Sequence, residues 1–296
     1  MFHQSKRNRK TALTEGFTAG ILFGTSSIFI ILLDVLSVSS LAFWRLIIAS
    51  ALLVGITLIL KKPFNTHTIK KNIKQITFLG TFLALHMILY ISAVKNTTIL
   101  NATVLVNTAP IFATIISTLH FKLKPSRLAG IGLTTSLLGA TLIAYADTLP
   151  TTLTINLIGD LEALLAATAE AIYLSYGRQT RNKMPLLTQL IPIYLTSATI
   201  IGALCLLTKT PIAIPHQPNT IILLLSFGTL PTALGHTLYY SSLSNLKSFE
   251  TATLALLEPI GATLLGIALF NEIPTGLFVL GATLVLTGIV AVALKE

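Results

Sequence analysis

The chain has 296 residues, of which 53% are hydrophobic and 10% charged, with a mean hydropathy of +0.82. So little charge excludes a soluble globular domain, which carries roughly 25% charged residues, and points to an integral membrane protein. The formal net charge of +10 does not mark a nucleic-acid binder, because the basic residues fall in short loops without interleaved aromatics.

Residues 1–11 form a basic segment with Lys6, Arg7, Arg9 and Lys10, read as a cytoplasmic N-terminus. The apolar run that follows is too long for the core of a cleaved signal, so it is read as a retained first helix. Breaks at charged and Pro/Asn-rich stretches then predict helices over 12–33, 38–60, 75–94, 98–121 and 127–146. The second half repeats this with 157–177, 186–208, 220–243, 250–270 and 275–294. Ten spans consume about 200 residues at about 20 each, which leaves short loops and no room for a soluble domain.

Residues 76–144 reappear as 225–293 at a constant offset of 149 without a gap. The pairs include Leu89/Leu238, Tyr90/Tyr239, Ser92/Ser241, Asn96/Asn245, Pro110/Pro259, Gly132/Gly281 and Gly139/Gly288. The expected fold is therefore all-α, with ten transmembrane helices in two five-helix repeats, 12–147 and 157–294. An odd number of spans per repeat requires that the two be inverted, as in many secondary transporters. With both termini cytoplasmic, 17 of the 20 Lys and Arg fall inside, only Lys95 and Lys209 outside, and Arg45 within a span. The plasma (cytoplasmic) membrane is the expected location.

An ionisable group near a span centre costs roughly 2.5 to 3.5 kcal/mol on insertion scales, so each carries a functional hypothesis. Arg45 and Glu162 both lie roughly 8 to 10 Å below the outer boundary, close enough in depth to pair as an extracellular gate. Glu170 and Glu258 fall in the inner half as unpaired carboxylates, and a desolvated carboxylate is suited to loading and releasing a proton. His86 and Tyr90 stand at i, i+4, and His236 and Tyr239 at i, i+3, so each pair shares a helix face that can line a cavity. Asn107 lies one turn before Pro110. Pro110 and Pro259 remove the donors due to the Val106 and Ala255 carbonyls, which makes them hinge candidates near midspan.

Gly132 and Gly139, like Gly281 and Gly288, are seven apart and face one way, which reads as packing or homodimer faces on the fifth and tenth helices. Cys205, the only cysteine, reads as a core residue, and no metal or thiol motif is present. No Gly-x-Ser-x-Gly, His-Glu-x-x-His or phosphate-cradling loop occurs, so an enzyme and a cofactor are not expected.

Phe43-Trp44-Arg45, Leu257-Glu258-Pro259, the run from Gly266 to Glu272 and the closing run from Gly281 to Gly288 resemble the EamA-type drug/metabolite transporters. The resemblance covers nearly the whole chain. It implies a ten-helix bundle whose central cavity is lined by helices one to four and six to nine, with five and ten peripheral. It also implies export of amino acids or other metabolites, or movement of nucleotide sugars and related solutes, often by proton coupling or exchange. The first half departs from the pattern where Ala109 stands opposite Glu258 and Leu123 opposite Glu272.

Three intramembrane carboxylates against one arginine favour cationic or zwitterionic solutes. The expected function is thus proton-coupled export of small amino acids or amine-containing metabolites by alternating access. The partners are a small solute, protons and the bilayer. An exchanger of sugar phosphates or nucleotide sugars is the alternative, and a passive pore or lipid-handling protein is less favoured.

Overall fold

The computed structural model describes residues 8–61, 64–146, 157–181, 183–270 and 274–294. Lys6, Arg7, Lys62, Lys295 and the Asn271-Glu272 end of the second-half motif lie outside the described residues. Every regular element among the described residues is helical. The first half holds α1 (Arg9–Leu32), α2 (Val38–Ile59), a short α3 (Thr66–Lys71), α4 (Ile73–Asn96), α5 (Ile99–Val106), α6 (Ala109–Leu119) and α7 (Arg127–Ala146). The second holds α8 (Leu157–Arg181), α9 (Leu186–Thr208), α10 (Pro218–Phe227), a π-helical segment (Gly228–His236) and α11 (Thr237–Ser242). It closes with α12 (Ser248–Leu254), a 3-10 turn (Ala255–Leu257), α13 (Glu258–Phe270) and α14 (Gly276–Leu294).

Local chemistry sets these boundaries. Asn8, Ser37 and Thr98 each accept a backbone N–H from the first turn of α1, α2 and α5, which satisfies donors that a helix start leaves open. At α12 the Glu250 carboxylate instead reaches back to the Lys247 N–H at 2.6 Å. Both hinge-candidate prolines stand next to helix breaks. Pro110 sits in the first turn of α6 after a break at Asn107–Thr108, and Pro259 sits in the first turn of α13 after the 3-10 turn.

Among the described residues, seven helices are long and apolar enough to cross a membrane: Arg9–Leu32, Val38–Ile59, Ile73–Asn96, Asn101–Leu119, Leu186–Thr208, Pro218–Ser242 and Gly276–Leu294. The other three expected spans fall short for identifiable reasons. The apolar part of α7 is short (Arg127–Ile143), and residues 248–270 are divided between α12, the 3-10 turn and α13. The α8 helix carries Asp160, Glu162, Glu170, Arg178 and Arg181, yet its face with Ala163, Ala166, Ala167, Glu170, Ala171 and Leu174 is buried. A helix surrounded by protein can carry charge that a lipid-facing one cannot.

The first helix of each half packs into the other half. Helix α1 contacts the π segment, α11, α12 and α13, and α8 contacts α4, α5 and α6. The α1 contact rests on Gly16, Gly20 and Gly24, spaced one turn apart. A Cβ on Gly20 would stand 2.1 Å from the Leu254 carbonyl oxygen, and one on Gly24 would stand 2.3 Å from the Ala262 nitrogen. Helices α7 and α14 form the most extensive pairing, and here the four predicted glycines meet each other. Gly132 lies against the Gly288 carbonyl and Gly139 against the Gly281 carbonyl, with the Ser136 hydroxyl donating to the Val285 carbonyl at 3.2 Å. Of the two uses expected for those glycines, packing within one chain is the one this structure makes.

Candidate functional site

The site is assembled at the helix breaks. A central cavity of about 30 Å³ is lined by Phe23 and Ser26 of α1, Arg45 of α2 and His86 and Tyr90 of α4. Val106 and Asn107 at the α5 end, Glu170 of α8, His236 of the π segment, Ala255 and Glu258 complete it. That volume is the room of a water molecule or two. Arg45, His86, Asn107, Glu170, His236 and Glu258 are all buried.

Neither carboxylate is unpartnered, which corrects the expectation from sequence. The Tyr90 hydroxyl donates to Glu258 Oε1 at 2.9 Å, and the Tyr239 hydroxyl donates to Glu170 Oε1 at 2.8 Å. Tyr90 and Tyr239 are the 149-offset pair, so each half supplies the same donor from the same helix position. The acceptors both come from the second half. His86 Nδ1 donates to the Ala166 carbonyl at 3.1 Å and stands 3.9 Å from Glu170 Oε2. Its ring lies 6.0 Å from Tyr90 and 6.1 Å from His236, and the His236 ring lies 4.7 Å from that of Phe23, tilted by 49°. The two His/Tyr faces expected from sequence therefore meet at one centre.

Arg45 and Glu162 do not pair with each other. Glu162 accepts from Ser92 Oγ at 2.7 Å and Asn96 Nδ2 at 3.0 Å, at the N-terminal end of α8. Arg45 instead reaches the cavity. Its guanidinium lies 4.3 Å above the Phe227 ring, and its Nε donates to Thr232 Oγ1 at 3.0 Å. Depth along a span put the two residues at one level, but the length of the arginine side chain and the acceptor offered by the π segment carried Arg45 inward.

The π segment explains that acceptor. Pro231 has no N–H, so the Phe227 carbonyl loses its α-helical donor, and the Thr232 hydroxyl takes it at 3.0 Å. The same hydroxyl then accepts from Arg45. Sequence reasoning assigned no role to Phe23, Ser26 or Thr232. The spacing of Gly16, Gly20 and Gly24 was the available signal for the α1 contact, since small residues one turn apart admit a close neighbour. For Thr232 the signal was its place directly after Pro231.

A buried polar centre at broken helices inside an apolar bundle is an arrangement found in membrane transporters, and comparison with known proteins points the same way. The EamA-like transporter family matches at residues 11–145 and again at 157–294. The chain is 24% identical over 292 residues to an uncharacterized transporter of Archaeoglobus fulgidus (strain ATCC 49558 / DSM 4304 / JCM 9628 / NBRC 100126 / VC-16), covering 98% of this chain and 99% of the relative. Its backbone is similar to a solved crystal structure of a protein at 18% identity, with a TM-score of 0.78 and 96% of each chain covered. At that identity the likeness concerns the fold alone. The chain belongs to the EamA-like transporter family.

Proposed function

We propose that this transporter exports small amino acids or amine-containing metabolites in exchange for protons. In this reading ten spans form two inverted repeats, 12–147 and 157–294, with both termini cytoplasmic in the plasma membrane. Seven apolar helices, two family matches of five-helix length and the 149-residue repeat support that arrangement. The observation that carries the function is the pair of buried carboxylates, each held by the repeat-equivalent tyrosine. A carboxylate in this setting takes either a proton or a solute ammonium group, and competition between the two couples their movements. The breaks at Pro110 and Pro259 act as hinges, and Glu162 with Ser92 and Asn96 closes one end. A homodimer through the outward faces of α7 and α14 is compatible with their glycine faces being used within the chain.

Reconstitution into proteoliposomes tests this. Uptake of small amino acids and amines is expected to follow an imposed pH gradient in the wild type and to lose that dependence in Glu258→Gln and Glu170→Gln. Uptake indifferent to the gradient in all three proteins refutes proton coupling.

A further inference from the structure

We propose that Arg45 receives the carboxylate of the transported solute, so that the preferred substrate is a zwitterion with an ammonium group and a carboxylate. This rests on the proposed function in taking the central cavity as the solute site. Arg45 is 1% exposed and is held at two points, by Thr232 at Nε and by the face of Phe227. Its Nη1 is buried and has no hydrogen-bond partner among the described residues. A guanidinium has five N–H donors, and a buried donor left without an acceptor is costly.

Three of the four carboxylate oxygens of Glu170 and Glu258 already face other groups. Glu258 Oε1 is taken by Tyr90, Glu170 Oε1 by Tyr239, and Glu170 Oε2 faces His86. Arg45 is thus oriented, lines the cavity and keeps Nη1 without an acceptor. The planar fork of a guanidinium fits a carboxylate through two parallel hydrogen bonds. The same cavity presents Glu170 and Glu258, which attract an ammonium group and repel a second negative charge. One guanidinium facing two carboxylates therefore selects a group of charge −1 joined to an amine and disfavours a phosphate dianion. Thr232 is a positioning residue, since it touches Arg45 and fixes the fork through Nε.

The experiment measures binding to purified detergent-solubilised protein by calorimetry. The probes are threonine, phenylalanine and lysine, each with its carboxamide and its decarboxylated amine, together with a sugar phosphate. In the wild type, at least one amino acid is expected to bind at least tenfold tighter than its own carboxamide and amine. In Arg45→Gln the acid and the carboxamide should bind alike, and in Thr232→Val the discrimination should fall several-fold. The comparison among wild-type ligands stands even if Arg45→Gln fails to fold. Amides and amines binding as well as the acids, preference for the sugar phosphate, binding by no probe, or discrimination intact in Arg45→Gln would each overturn the assignment. Gradient-driven transport of the amines without carboxylate discrimination leaves proton coupling standing and removes Arg45 from it. Carboxylate discrimination without gradient dependence does the reverse.

Discussion

Gly24→Ala adds one methyl group where α1 meets α13, and the geometry sets its effect. The new Cβ would lie 2.3 Å from the Ala262 nitrogen, 2.5 Å from the Gly261 carbonyl carbon and 2.8 Å from the Glu258 carbonyl oxygen. All three are backbone atoms, which cannot rotate aside as a side chain can. Ordinary contact begins near 3.4 Å, so α13 must retreat by roughly 1 Å. Overpacking of this kind costs about 1–3 kcal/mol. Glu258 opens α13, so the same retreat stretches its 2.9 Å bond from Tyr90. Gly55→Ala is the matched control, because a Cβ there meets nothing within 4 Å in the interior of α2. It should stabilise by about 0.5–1 kcal/mol through helix propensity. Thermal unfolding in detergent should show the two variants moving in opposite directions, and proteoliposome transport should fall only in Gly24→Ala. Equal shifts of the same sign, with transport unchanged in both, would refute the backbone contact between α1 and α13.

Gly288→Ala should also destabilise by about 1–3 kcal/mol, since its Cβ would lie 2.2 Å from Ser136 Oγ and 2.4 Å from the Gly132 carbonyl; thermal unfolding checks this. Glu250→Ala removes both the capping bond to the Lys247 N–H and the ion pair with Arg9, and should cost about 1–2 kcal/mol in the same assay. The part-exposed side of that pair makes Arg9→Gln milder, up to about 1 kcal/mol and smaller at high salt. Cys205 is buried in α9, so a thiol reagent should modify it only as fast as the protein unfolds, and rapid labelling of folded protein would contradict that packing.

Much of the helical framework was legible from hydrophobic run length, because a span must be apolar wherever lipid surrounds it. The first apolar helix, the breaks at Pro110 and Pro259 and the facing roles of His86, Tyr90, His236 and Tyr239 all follow from run length, from spacing and from missing N–H groups. The short α3 helix was not legible, since Thr66–Lys71 is polar and carries no hydrophobic period. The π segment was hidden too, because its sequence reads as an ordinary apolar span containing one proline.

By itself the sequence determined a duplicated helical chain, the residues held in each half and the rarity of charge within the spans. Periodicity, run length and the 149-residue offset are properties of one dimension and can be read there. Only the tertiary structure decided the partners: Tyr90 with Glu258 across 168 positions, Tyr239 with Glu170 across 69, and Arg45 with Thr232 across 187. Equal depth along two spans suggested that Arg45 would meet Glu162. Depth is a single coordinate, whereas a hydrogen bond also requires azimuth, reach and an acceptor free to take it, and those are settled by how the helices pack.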